Sequence, residues 1–367
     1  MLRRALLLLL VSTVLAISAR AEESRHFTFR YEFTVRNITP GERVRVWIPL
    51  AHSDQFQTVK VVSSTGDLPL KKTTEREYGN EMLYAAEEKA SKAEYHFTVE
   101  YDVVRNERVV PLSGTPHLAA AKLSERERQR FLEPDRLVPV TGLPAEIAAK
   151  EAAGRSTDLE RARALYEYVF RTMKYDKSGT GWGRGDTLWA CDSKRGNCTD
   201  FHSLFISMAR SQQIPARYEM GFSIPTDKHS GEVAGYHCWS DFYLKGTGWV
   251  PVDISEAWKH PEKHDYFFGA HDVNRVQFTM GRDITLSPPQ QGQPLNYFVF
   301  PYVEVDGKEF SNVATSNSFA DVSGKNSEAS VAPPDSLPHS ASRAPGPLFN
   351  PSTGALTVFA FGFSSRR

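Results

Sequence analysis

Apolar and polar positions alternate without a break from residue 27 to residue 35. Phe27, Phe29, Tyr31, Phe33 and Val35 fall on one side of an extended chain, and Thr28, Arg30, Glu32 and Thr34 on the other. A period of two predicts an antiparallel strand with one face buried. Val44, Val46 and Ile48 repeat the pattern until Pro49 ends it. Tyr95, Phe97, Val99, Tyr101 and Val103 repeat it again. Turn signals at Thr39-Pro40-Gly41 and Tyr78-Gly79-Asn80 separate the runs. Residues 25–112 therefore predict a small antiparallel β-sandwich. It carries no candidate chemistry, so its expected roles are to pack against the rest of the chain, to shape a cleft or to hold a partner.

The period lengthens after residue 120. Ser124-Glu125-Arg126-Glu127 reads as a capping box. Residues 144–153 predict a helix with Pro144 in its first position and Gly154 just past its end. Thr157-Asp158-Leu159-Glu160 is a second capping box. The helix it opens has Leu159, Ala162, Tyr166, Val169, Phe170 and Met173 on one face. Phe201, Leu204, Phe205 and Met208 form the stripe of a further buried helix, which Ile214-Pro215-Ala216-Arg217 closes before a strand. Short apolar runs at 239–244, 249–252, 276–286 and 295–305 predict strands, and Asp306-Gly307 a turn. The fold class is α+β, with the sandwich followed by a second domain over 120–310. Residues 311–367 are rich in Ser, Ala, Pro and Asn and predict a disordered tail. Residues 356–363 are apolar and alternating, fit to dock on a sheet edge or else without structural meaning.

Three fragments in the second domain carry candidate chemistry: Gly196-Asn197-Cys198-Thr199-Asp200-Phe201, Gly235-Tyr236-His237-Cys238-Trp239 and Gly248-Trp249-Val250-Pro251-Val252-Asp253. A thiol needs a base to become a thiolate, and the base needs a third group to fix its tautomer. Gly196 permits a tight turn before Cys198. The apolar stripe that follows places Cys198 at a helix N-terminus, where the macrodipole favours a thiolate. His237 opens one strand and Asp253 closes the next. This arrangement resembles the transglutaminase-like superfamily over residues 159–254, including Ile214-Pro215-Ala216-Arg217 and His237-Cys238-Trp239. The resemblance implies a papain-like core with Cys198 as nucleophile, His237 as base and Asp253 as orienter. It also implies an amide hydrolase or acyl transferase that works through a thioester on a peptide or protein amide. Members of that superfamily also include inactive proteins, so an exported scaffold or binding protein is the alternative. Hydrolysis is expected over cross-linking, because water is always present and no amine site can be read.

Composition narrows this further. Lys and Arg together number 44, as do Asp and Glu, so the formal net charge is zero and no nucleic-acid or anionic-membrane partner is indicated. Residues 1–21 read as a secretory signal peptide: Arg3 and Arg4, an apolar run over 5–17, then Ala19-Arg20-Ala21. A secreted or periplasmic protein without stable membrane insertion after cleavage is expected.

Export permits disulfides. Of the three cysteines, Cys191 and Cys238 remain to pair if Cys198 is the nucleophile, and whether they do is open. Strand alternation sets Cys238 on the face opposite His237, as a small core residue. The same alternation disfavours zinc on Cys191, Cys198, His237 and Cys238. His260, His264 and His271 match no zinc spacing. No calcium loop is present either, so neither metal nor cofactor is expected. The Gly-rich loop over 177–195, with Trp182 and Trp189, reads as a flexible cleft wall and not as a phosphate cradle.

Overall fold

The computed structural model describes residues 23–112 and 122–322. The alternating run becomes the strand Ser24–Val35, with Phe27, Phe29, Tyr31, Phe33 and Val35 at most 1 % exposed. It pairs antiparallel with Tyr95–Asn106 on one side and with Val313–Asp321 on the other. Gln57–Gly66 and Ser230–Glu232 complete this five-stranded sheet at its two edges. The second five-stranded sheet runs Lys308–Glu309, Tyr302–Val305, Val44–Pro49, Glu81–Glu87, Lys71–Thr74. The α+β class and the antiparallel sandwich are as read from the sequence.

The boundaries differ. The tail expected from residue 311 begins instead with the strand Val313–Asp321, which brings Phe319 opposite Phe29. Composition hid it, because Phe319 is its one large inward residue and the apolar surface it covers belongs to its neighbours. The strand holds its place by backbone pairing. Tyr302–Val305, assigned from sequence to the second domain, also joins the sandwich, so the sandwich is assembled from both ends of the described chain. The rest of the expected tail, including residues 356–363, lies outside the described residues, as does the expected signal peptide.

Residues 276–286 and 295–305 are not continuous strands. Arg275–Met280 ends at Gly281, whose φ is +90°. The segment beyond it is irregular, with one bridge between Ile284 and Leu295. That segment covers the second face of the strand Val44–Pro49, so all six residues of the strand are buried. Trp47 donates from Nε1 to the Pro288 carbonyl at 2.8 Å, and Arg45 reaches Glu304 at 2.8 Å.

The remaining elements form the α+β core. Gly248–Val252, Tyr236–Leu244, Ala216–Ser223 and Arg275–Met280 make a four-stranded antiparallel sheet in that order. The helix Cys198–Ser211 lies on it and is buried over residues 198–210. Leu143–Ala152 and Asp158–Thr172 pack around that helix, and both sequence-predicted capping boxes, at Ser124 and Thr157, are formed. Core and sandwich are not separate bodies. The Phe278 ring lies 5.8 Å from Phe29, 5.6 Å from Tyr31 and Tyr101, and 5.2 Å from Phe222. One apolar cluster thus runs from the first strand of the sandwich to the helix Cys198–Ser211.

This shared cluster predicts joint unfolding. Phe278→Ala leaves a cavity between the two parts and should cost about 3–5 kcal/mol. Denaturation followed by circular dichroism and by tryptophan fluorescence should show one coincident, shifted transition. Two separated transitions would contradict the shared core. Ending the chain at residue 310 removes the Val313–Asp321 strand and bares the edge of Ser24–Val35, so the Tm should fall and aggregation rise.

Candidate active site

The start of the helix Cys198–Ser211 is held by short-range bonds. Asn197 is its N-cap, and its Oδ1 accepts the Thr199 N–H at 2.9 Å. Asp200 closes the capping box by accepting the Asn197 N–H at 2.9 Å. The same carboxylate accepts the Gly183 and Gly185 N–H groups at 2.7 and 3.0 Å. The Gly-rich loop is therefore fastened to the first turn of the helix, not loose as the sequence suggested. A Cβ on Gly196 would stand 2.2 Å from Asp200 Oδ2, so only glycine fits that turn. Burial pushes the Asp200 carboxyl up to about 7 against the lowering effect of its three N–H donors.

Cys198, His237 and Asp253 come together at this helix end, 2 %, 4 % and 0 % exposed. His237 sits near the start of the strand Tyr236–Leu244, opposite Gly221 in the neighbouring strand. Asp253 follows Gly248–Val252 and caps the helix Ile254–Lys259. Its Oδ1 accepts the Glu256 N–H and the Ser255 hydroxyl, each at 3.1 Å. Its Oδ2 takes His237 Nε2 at 2.7 Å and Arg275 Nη1 at 3.0 Å. With Nε2 committed to Asp253, Nδ1 is left to hydrogen-bond the Cys198 sulfur.

The charges follow from this geometry. Burial opposes ionisation of all three groups, and partners overcome it. Burial alone would raise the Cys198 thiol, but hydrogen bonds from Cys238 and His237, with the His237 charge, carry it well below its ordinary value. Burial would likewise lower His237, but Asp253 and Cys198 hold it up at about 10. Asp253, beside His237 and Arg275, stays well below the usual carboxylate range despite its burial. The arrangement favours a thiolate–imidazolium pair resting on a carboxylate.

Three further residues belong to this constellation, and sequence reading missed them. Cys238 does face away from His237 along the strand, yet it is no inert core residue. Its Sγ is 3.8 Å from both Thr199 Oγ1 and His202 Nδ1, and its thiol is hydrogen-bonded to Cys198. His202, one turn after Cys198, is fully buried. Its Nε2 accepts the Ile254 N–H at 3.0 Å and stands 3.7 Å from Asp253 Oδ1. That bond leaves the ring proton to Nδ1, the nitrogen that lies 3.8 Å from Cys238 Sγ. Burial pushes His202 down to about 4, so it is neutral and ties the helix start to the Asp253 turn. A histidine one turn after the cysteine, beside the apolar stripe Phe201, Leu204, Phe205 and Met208, was the available signal. Arg275 carried none, because it comes from a strand distant in sequence.

Other residues singled out from sequence lie elsewhere. Cys191 and Cys238 are both free, and burial lifts Cys191 to about 11. His264 bonds Glu167 at 3.0 Å and lies against Phe170, while His271 is buried beside Trp239. Among the described residues no cluster of three or more His, Cys, Asp or Glu side chains is arranged to hold a metal ion. Tyr175, half-buried on the two-residue strand before the site, lies 6.5 Å from the Trp258 ring, with Lys259 Nζ 4.3 Å above its own ring.

The family profile described as the transglutaminase-like superfamily matches residues 145–254, which span the helix, both strands and Asp253. These residues belong to that superfamily. An uncharacterised protein of Haemophilus influenzae is 27 % identical over 316 residues, covering 77 % of this chain and 85 % of its own length. The solved structure of a candidate cysteine protease from Cytophaga hutchinsonii superposes with a TM-score of 0.57 at 14 % identity, covering 83 % of this chain and 93 % of that one. At that identity the likeness is one of fold. This transglutaminase-like core accounts for the helix–strand–strand order, and the chain adds to it the sandwich and the irregular segment beyond Gly281.

The electrostatics predict selective alkylation. Iodoacetamide should modify Cys198 with a midpoint well below the free-thiol value of about 8.5, while Cys191 stays unreactive. Cys238→Ala removes a donor to the thiolate. A hydrogen bond to a charged group contributes about 1.5–3 kcal/mol, so the midpoint should rise by roughly one to two pH units. Mass spectrometry of peptides alkylated across pH reads both effects. An unmoved midpoint in Cys238→Ala would remove Cys238 from the site.

Proposed function

We propose that this chain is an exported cysteine-nucleophile amide hydrolase or acyl transferase acting on peptide or side-chain amides. The observation that carries the reading is the buried convergence of Cys198, His237 and Asp253, with His237 Nε2 on Asp253 Oδ2 at 2.7 Å and Arg275 closing the same oxygen at 3.0 Å. The Cys198 thiolate attacks the amide carbonyl. The negative oxygen that develops faces the start of a helix, where first-turn N–H groups lack partners inside the helix, and the Cys198 N–H is the natural donor. The His237 imidazolium then gives its proton to the departing amine, and a thioester to Cys198 remains. His237, now neutral, takes a proton from water as it attacks the thioester. Product leaves as the acid, and the thiolate–imidazolium pair is restored. Asp253 holds the ring in one tautomer throughout and stabilises its charged form.

Water is the acceptor this site favours, because Cys198 is 2 % exposed and a second, bulkier amine must reach the same buried sulfur. Export is proposed from the signal-like residues 1–21. Among the described residues no helix is long and apolar enough to cross a membrane.

Cys198→Ala should abolish amide turnover and shift stability by only about 1 kcal/mol. Intact-mass measurement after incubation with candidate amides should show an acyl adduct on the wild-type chain and none on the variant. Turnover persisting in Cys198→Ala at unchanged Tm would exclude it as nucleophile. The rate should rise with pH through the lowered thiol value and fall as His237 loses its proton near 10. Asp253→Asn removes the charge that supports the imidazolium, so the alkaline limb should move to lower pH and the maximum should drop. An alkaline limb that stays in place would show that Asp253 does not support His237.

A further inference from the structure

A pocket of about 460 Å³ lies between the sandwich and the core sheet, away from the cysteine. Its walls come from the sandwich through His52, Phe56 and Arg105, and from the core through Arg217, Trp249 and Met280. His237 and Asp241 lie on one strand four residues apart, about 13 Å in extended chain. Asp241 anchors Arg108 and Arg217 of this pocket, so the pocket stands at the opposite end of that strand from His237 and Asp253.

Two of its cations are already neutralised. Arg108 bonds Asp241 at 3.0 Å and the Trp249 carbonyl at 2.8 Å. Arg217 bonds Asp241 at 2.8 Å, pairs with Glu219 at 2.7 Å and lies 4.3 Å over the Trp249 ring. Arg105 differs from both. It is 2 % exposed, and its one hydrogen bond among the described residues is from Nη1 to Gln57 Oε1 at 3.3 Å. That oxygen already accepts the Gln277 N–H at 2.9 Å. No carboxylate of the described residues lies within ion-pair distance of the Arg105 guanidinium, and its Nε has no partner. A buried cation without a counter-charge is costly to the fold. Burial accordingly pulls Arg105 down to about 10, opposed in part by Asp54. Asp54 lines the pocket but is exposed, and its Oδ1 is occupied by the N–H groups of Phe56 and Gln57 at 2.6 and 2.8 Å.

We infer that this pocket is a binding site for a small organic acid, whose carboxylate pairs with Arg105 and whose apolar body lies among Phe56, Trp249 and Met280. Its size falls within the roughly 300–1,000 Å³ of ordinary ligand sites, and its place between two structural units is where such sites concentrate. A planar guanidinium can pair bidentately with a carboxylate, and the aromatic walls suit an acid with a carbon body, which phosphate lacks.

The test uses the wild-type chain with benzoate, its uncharged isostere benzamide and inorganic phosphate, read by calorimetry and by Tm. Benzoate should bind saturably at one site per chain and raise the Tm. Benzamide and phosphate should each bind at least about tenfold more weakly, a difference of about 1.4 kcal/mol. Arg105→Gln should lose benzoate by about tenfold or more, with circular dichroism confirming its fold. If that variant fails to fold, Asp54→Asn serves instead, because removing the competing negative charge should tighten benzoate a few-fold. The proposal is overturned if wild type shows no saturable benzoate binding, if benzamide matches benzoate, or if Arg105→Gln folds and binds unchanged. Phosphate binding as tightly as benzoate would overturn the organic-acid assignment.

Discussion

The Asp253 carboxylate is the constraint on which the rest of the site depends. It is fully buried, and an ionised carboxylate in that position is tolerated only when its lone pairs are used. Four donors use them: the Glu256 N–H and Ser255 hydroxyl on one oxygen, His237 and Arg275 on the other. Each donor comes with a piece of structure. The first two are the opening of the helix Ile254–Lys259, the third opens one strand, and the fourth lies on another. One group thus caps a helix, orients an imidazole and ties together two strands of the core sheet across the strand between them. Chemistry and fold share this node, so a variant at Asp253 cannot be read as purely catalytic.

The same reasoning explains the sandwich. Arg275 reaches Asp253 only if its strand keeps its place, and the adjoining Phe278 is gripped by Phe29, Tyr31 and Tyr101 from the sandwich. Burial of these rings is the large favourable contribution, at about 1.5–3 kcal/mol for a fully buried side chain of this size. The sandwich carries no reacting group and acts through position: it supports the strand that supplies the cation that holds the aspartate that orients the histidine. The last described strand, Val313–Asp321, belongs to that support, because it covers the free edge of Ser24–Val35.

Charge is managed in two ways within one sheet. Around Asp253 the cation and the anions are paired and their bonds are filled. At the far end of the His237 strand, Arg108 and Arg217 are paired through Asp241, but Arg105 is buried with a single amide acceptor. The two ends of one strand thus carry a completed network of charges and an incomplete one.

Much was legible in the sequence because it depends on near neighbours. The period of two in Ser24–Val35, the capping boxes at Ser124 and Thr157, and the stripe Phe201, Leu204, Phe205, Met208 are local patterns, and local backbone geometry turns each into its element. The turn–Cys–helix, His–strand and strand–Asp fragments were legible for the same reason, since each residue type sits at an element end. What the sequence could not show was decided by contacts between distant residues. Arg275 on Asp253, His202 on the Ile254 amide and Cys238 at the Cys198 sulfur have no periodic signature, because each pairing exists only once the helix lies on the sheet. The strand Val313–Asp321 read as tail because its own side chains bury little, and its partner supplies the apolar surface. Sequence determined the elements and the three candidate site residues at their ends; tertiary packing alone decided which charges meet and which, like Arg105, are left without a counter-charge among the described residues, because long-range pairing in a low-dielectric interior is set by three-dimensional proximity and not by spacing along the chain.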